Sequence, residues 1–208
     1  MTDVKICGLT RAEDVGLACE LGAVYVGFNF SANSKRRVAA EDGPRLARAA
    51  APGVARVGVF VEESYETIGD VCEAARLDLV QLHRELRSED LSRVPRPVIA
   101  VAHVGASGAK MPPDSLLASC RALLFDTAVP GVPGGTGATF DWAILEGRGL
   151  PVARLLGGGL TPENVAGAIR RVKPSGVDVA SGVESAPGVK DGDRMAAFFE
   201  AVRKADGR

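Results

Sequence analysis

Lys5-Ile6-Cys7-Gly8-Leu9-Thr10 sets the plan that the rest of the chain repeats. The short apolar run from Val4 to Cys7 reads as a strand that ends on a side chain able to do chemistry. Gly8 then turns the chain. Thr10-Arg11-Ala12-Glu13 has the spacing of a capping box, in which the Thr10 oxygen takes the amide of residue 13 and Glu13 reaches back. A helix is predicted from there to about Leu21, with Gly22 as its stop. The unit is strand, reactive end, loop and helix. Parallel α/β folds carry their functional groups at the C-terminal ends of strands, which is where Cys7 falls.

Working outward, the unit recurs. Strands are predicted at Val24 to Phe28, Ala55 to Val61, Leu79 to Leu82, Val98 to Val104, Leu123 to Phe125, Val152 to Leu156 and Val177 to Val179. Helices are predicted between them: Glu41 to Ala51, Ser64 to Ala75 with Ser64 as cap, Ser88 to Val94, a weak Pro112 to Cys120, and a short one around Asp141 to Leu145. Thr161-Pro162-Glu163-Asn164 opens another, with an N-cap and a proline at the first helical position, and Asp193 to Lys204 is the last. Strict alternation argues for a parallel sheet, and a count of eight argues for closure into a single-domain (β/α)8 TIM barrel spanning residues 1–208. An open doubly wound sheet is the structural rival. It usually carries fewer strands and a glycine fingerprint after the first of them, where this chain has only Cys7-Gly8.

Composition narrows the function. The 208 residues are 46% hydrophobic and 25% charged, enough for a large core. A formal net charge of -1 without charged blocks argues against nucleic-acid or anionic-membrane partners. No apolar run approaches the roughly 20 residues of a membrane span. The chain starts at once with a strand-like segment, so no signal peptide is expected. Cys7, Cys19, Cys72 and Cys120 lack metal spacing and fit a reduced, cytoplasmic protein; with only His83 and His103 besides, no metal or haem is expected.

A barrel would display Cys7, Arg36 in the loop after the second strand, His83, Asp126, the Gly157-Gly158-Gly159 turn and the Ala180-Ser181-Gly182 turn on its C-terminal rim. The two glycine turns, with Gly158, Gly159, Ser181 and Gly182, fit a phosphate site: glycine lets backbone amides approach an anion, and the loops after strands seven and eight hold phosphate in this fold. Cys7 and Asp126 come from opposite sides of the ring. A thiolate and a carboxylic acid facing a small substrate suit proton abstraction with proton donation. Taken singly, Cys7 also reads as a small buried hydrophobe, Asp126 as a cap and Arg36 as a solvated side chain of the basic run Ser34 to Arg37. His83 reads equally as a pocket residue or a core histidine.

These residues and their neighbours resemble the phosphoribosylanthranilate isomerases of tryptophan biosynthesis. The likeness covers almost the whole chain: Lys5 to Thr10; Gly27-Phe28 with Ser34-Lys35-Arg36; Val57 to Val61; Gln81-Leu82-His83; Leu124-Phe125-Asp126-Thr127; Gly134 to Gly137 with Phe140-Asp141-Trp142; Gly158-Gly159-Leu160 with Pro162-Glu163-Asn164; Asp178-Val179 with Ser181-Gly182-Val183-Glu184; and Pro187-Gly188 with Lys190-Asp191. The resemblance implies a barrel without cofactor or metal, a monomer or homodimer, and a phosphorylated small-molecule substrate. The reaction it implies is an Amadori rearrangement of N-(5-phosphoribosyl)anthranilate. On that basis Asp126 is the general acid that opens the ribose ring and Cys7 the general base at C2. Arg36 takes the anthranilate carboxylate, and His83, Gly158, Gly159, Asp178, Ser181 and Gly182 contact substrate. The acid role asks for a raised pKa at Asp126 and the base role for a lowered one at Cys7, which Lys5 and nearby amides would assist. Two positions depart from the family: Arg84 where glycine is usual, and Ala180 where serine is frequent. Rivals are the histidine-pathway isomerase of the same chemistry, which would carry aspartate where this chain has Cys7, a dual-substrate enzyme, and a non-catalytic phosphate sensor. The Gly131 to Gly137 loop has the glycine content of a lid and equally of an ordinary turn.

Overall fold

The computed structural model describes residues 1–105, 108–127, 141–145 and 149–207. The strands are β1 (Asp3–Ile6), β2 (Tyr25–Asn29), β3 (Ala55–Phe60), β4 (Leu79–Leu82), β5 (Val98–Gly105), β6 (Gly108–Lys110), β7 (Ala122–Thr127), β8 (Ala153–Leu156), β9 (Gly176–Val179), β10 (Glu184–Ala186) and β11 (Val189–Lys190). The helices are α1 (Ala12–Leu21), α2 (Gly43–Arg48), α3 (Tyr65–Ala74), α4 (Ser88–Arg93), α5 (Asp114–Leu117), α6 (Val165–Val172) and α7 (Gly192–Ala205). Among the described residues three 3-10 turns join them, at Ala40–Asp42, Trp142–Leu145 and Ser181–Val183. The nine-stranded sheet runs β4-β3-β2-β1-β9-β8-β7-β5-β6, and β4 also pairs with β5. All of its strands but β6 are therefore parallel members of a closed (β/α)8 barrel. No described helix is long and apolar enough to cross a membrane.

Closure divides each strand between two surroundings, because successive side chains point to opposite faces. Val4, Ile6, Val26, Phe28, Leu123 and Phe125 point outward into the layer between strands and helices, the larger apolar core. Tyr25, Val57, Leu79, Ile99, Val101, Ala122, Leu124 and Leu155 pack a second, smaller cluster, in register with inward positions of the barrel. The upper end of the interior is different in kind. There Lys5 pairs in register with Asp178, and His103 with Asp126.

Local structure departs from expectation at several places. Thr10 is not a cap: α1 starts after Arg11 without a side-chain cap, and the Thr10 hydroxyl donates to the Gly188 carbonyl at 2.6 Å. A distant acceptor has won the hydroxyl, and Arg11 closes the first turn instead by bonding Asp14 at 2.9 and 2.6 Å. α6 begins at Val165 rather than after Thr161, because Asn164 folds back: its Oδ1 accepts the Thr161 amide and its Nδ2 donates to the Gly159 carbonyl, making a turn of those residues. The segment from Glu41 to Ala51 splits into a 3-10 turn and α2, the stretch from Pro112 to Cys120 shrinks to one turn, and the helix near Asp141 is a 3-10 turn. Two antiparallel additions, β5 with β6 and β10 with β11, carry no alternation that would have marked them.

Candidate active site

A cleft of about 770 Å3, including its open mouth, lies over the C-terminal strand ends. Cys7, Arg36, His83, Asp126, Gly158, Gly159, Asp178 and Ser181 all line it, so the structure gathers every expected site residue except Gly182, which stands directly behind Ser181. The loop from Gly131 to Gly137, with the motif residues up to Phe140, lies outside the described residues.

Cys7 follows the last residue of β1 and its amide donates to Val179 on β9 at 2.8 Å. Two residues earlier on the same face, Lys5 is fully buried and its ammonium donates to Asp178 at 2.9 Å. Gly27 makes room for this pair: a Cβ there would stand 3.0 Å from the Cys7 sulfur and 3.2 Å from the Lys5 nitrogen. Burial opposes the Lys5 charge, but Asp178 and Cys7 outweigh it and hold the ammonium more strongly than usual. Burial also pushes the Cys7 thiol up; Lys5 pulls it down without overcoming that, and Asp178 adds to the rise. The lowered thiol expected from sequence is therefore not the state of this site.

Asp126 shows the opposite departure. Its Oδ2 lies 3.4 Å from His83 Nε2 and its Oδ1 accepts the Thr127 amide at 2.9 Å. Burial alone would raise the carboxyl; His83 and that amide prevail and hold it below the ordinary aspartate value, against the raised pKa expected. His83 is thus a cleft residue and not a satisfied core histidine: it lines the cleft, its Nδ1 is buried without a partner among the described residues, and its ring tilts against His103 at 5.2 Å. Burial, with His83 next, lowers the His103 pKa.

Arg36 is not solvated. Its Nε donates to Glu184 at 2.8 and 3.0 Å and its Nη2 at 2.7 Å. Glu184 also accepts from Lys190 at 2.8 Å, and Lys190 donates to the Ala180 carbonyl at 3.0 Å. The Arg36 stem crosses Gly8, where φ is +71° and any Cβ would strike Arg36 Cδ.

The two glycine turns meet. Gly158 and Gly159 have φ of +80° and +66°, a region open chiefly to glycine, and a Cβ on Gly158 would strike the Thr127 hydroxyl. Gly182 presses against the Leu160 carbonyl, leaving no room for a side chain. No described acceptor takes the backbone N–H groups of Gly158, Gly159, Ser181 or Gly182. Converging free amides of this kind are what an anion needs.

Arg84 turns away from the cleft. It bonds Asp90 at 2.8 Å and the Glu63 carbonyl at 3.2 Å and lies over the Tyr65 ring, so its bulk falls between α3 and α4. Gln81, Asn29, Glu184, Lys190 and His103 were not singled out as site residues from sequence. Gln81 had a signal: it stands two residues before His83, on the same inward face, as Lys5 stands before Cys7.

The family model described as N-(5'phosphoribosyl)anthranilate (PRA) isomerase matches residues 4–201. An N-(5'-phosphoribosyl)anthranilate isomerase of Thiobacillus denitrificans is 43% identical over 200 residues, covering 96% of this chain and 97% of that protein. The crystal structure of the phosphoribosyl anthranilate isomerase of Thermotoga maritima aligns over 100% of both chains, with 39% identity and a TM-score of 0.84. Another crystal structure of such an isomerase, in complex with reduced 1-(o-carboxyphenylamino)-1-deoxyribulose 5-phosphate, covers 100% of both chains with 36% identity and a TM-score of 0.80.

Proposed function

The chain belongs to the N-(5'-phosphoribosyl)anthranilate isomerase family, and from that premise we propose how its residues divide the reaction. The activity is the Amadori rearrangement of N-(5'-phosphoribosyl)anthranilate to 1-(2-carboxyphenylamino)-1-deoxyribulose 5-phosphate in tryptophan biosynthesis. The observation that carries the division is the shared cleft: Cys7 and Asp126 line it together with free glycine amides and the Arg36 guanidinium.

The substrate phosphate sits on the amides of Gly158, Gly159, Ser181 and Gly182, and the anthranilate carboxylate meets Arg36. Asp126 gives its proton to the ribose ring oxygen; the C1–O bond breaks and the nitrogen lone pair closes a protonated Schiff base. Cys7, as thiolate, removes the C2 proton, and the electron pair moves between C1 and C2 to give the enolamine, which tautomerises to the ketose. After those two steps Asp126 is a carboxylate and Cys7 a thiol, the same states that burial of Cys7 and the His83 and Thr127 contacts of Asp126 favour. Binding has to favour the opposite pair for a turnover to begin. A phosphate at Gly158 lies beside Thr127, next to Asp126, where its negative charge raises the carboxyl. The cationic Schiff base, with buried Lys5 behind Cys7, favours the thiolate.

Turnover of freshly generated phosphoribosylanthranilate, followed by its fluorescence, tests this in the unaltered chain and in Asp126→Asn. Turnover in the first, reduced about 10²–10⁴-fold in the second, is expected for a lost general acid. Equal turnover in both removes Asp126 from its role.

A further inference from the structure

Arg36 has three donor edges, and Glu184 takes one of them completely. Nε and Nη2 both bond its carboxylate, while Nη1 donates to no described residue and Arg36 lines the cleft. The Glu184 side chain is 4% exposed and that of Lys190 0%, so this is a buried arrangement rather than a surface pair. Glu184 opens β10, directly after the Ser181–Val183 turn, and its Oε1 is further fixed by Lys190 at 2.8 Å and by the Gly188 amide at 3.4 Å. Two cations and one anion leave a surplus positive charge, and the guanidinium that faces the cleft cannot rotate without breaking three hydrogen bonds.

We propose that Glu184, braced by Lys190, is a positioning residue that locks Arg36 with its end-on Nη edge toward the cleft, and so sets recognition of a substrate carboxylate. A guanidinium held on one edge presents a fixed two-donor fork on the next, and little rotamer freedom is left to lose when the carboxylate arrives. Glu184 touches no substrate atom; it acts through Arg36. The inference rests on the reading above that Arg36 takes the anthranilate carboxylate.

The test compares two substrates: phosphoribosylanthranilate and its aniline counterpart, which lacks the carboxylate. Glu184→Gln is expected to raise KM for the first about tenfold with kcat within about threefold, and to shift kcat/KM for the second about twofold or less. Equal losses on both substrates would mean that Glu184 only supports the fold, and no loss on either would mean that Arg36 orients itself; each overturns the proposal. Arg36→Met runs in parallel. If it fails to distinguish the two substrates, the carboxylate reading falls and takes this proposal with it, whereas discrimination by Arg36→Met and none by Glu184→Gln rejects Glu184 alone. A measurement on the unaltered protein covers a variant that does not fold. In nitrogen-15 NMR spectra the Arg36 Nε–H signal is expected to exchange slowly and stay in place when the reduced product analogue binds, while the Nη signals shift. A mobile or rapidly exchanging Nε–H signal contradicts the lock.

Discussion

Ile6 and Cys7 are neighbours in the chain, as are Phe125 and Asp126, yet each pair is split between two media. Ile6 and Phe125 are fully buried in the layer between strands and helices, where every neighbour in the cluster is apolar. Cys7 and Asp126 face the upper interior, where Lys5, Asp178 and His83 surround them with charge and hydrogen bonds. One medium rewards volume and shape; the other rewards pairing, since a charge left alone there is costly. A one-residue change of side exchanges a fold problem for a chemical one.

Replacing both members of a pair is the most direct way to break that contrast. Cys7→Ala is expected to lower kcat by about 10²–10⁴-fold, as for loss of a general base, with denaturant stability within about 1 kcal/mol. Ile6→Ala is expected to cost about 2–5 kcal/mol in denaturant unfolding while the folded fraction keeps kcat/KM within a few-fold. A folded but silent Ile6→Ala protein would erase the distinction. The second test sharpens the charged side. Ultraviolet titration of the Cys7 thiolate, taken as the difference from Cys7→Ser, should give a midpoint above that of an ordinary cysteine, because burial disfavours the anion. Asp178→Asn should lower that midpoint: it removes an anion that opposes the thiolate and leaves Lys5 to Cys7 alone. A rise would mean that Asp178 matters to Cys7 mainly by holding Lys5 in place. The smallest effect belongs to the backbone-built side of the cleft. Ala180→Ser should move KM by less than about threefold, within the worth of one hydrogen bond, if the proposed phosphate site rests on the Gly158, Gly159, Ser181 and Gly182 amides, which meet no acceptor among the described residues. A larger gain would give the hydroxyl a share in phosphate binding.

What the sequence made legible follows the same split. Alternating strands and helices marked the barrel, because period and length are local properties of the chain. Cys7, His83 and Asp126 were legible as strand ends, and Gly158, Gly159 and Gly182 as turns whose backbone needs leave no other residue type. The partnership of Arg36 with Glu184 was not legible: 148 positions separate them, and either reads as an ordinary surface charge. Nor was Thr10, whose local spacing spelled a cap while Gly188, brought near only by the closed barrel, claimed its hydroxyl. The protonation states of Cys7 and Asp126 failed for a related reason. Residue type and a presumed role suggested them, but burial holds the Cys7 thiol up against the pull of Lys5, and His83 with the Thr127 amide holds the Asp126 carboxyl down against burial.

The contact between Gly182 and the Leu160 carbonyl bears on how such a chain changes over generations. The turns after β8 and β9 fit each other as key fits ward, so a loop borrowed from another barrel at one of them meets a partner shaped for the original. Chimeras that carry both turns as one cassette should keep this close fit, and those that exchange one alone should lose it even where every glycine is retained.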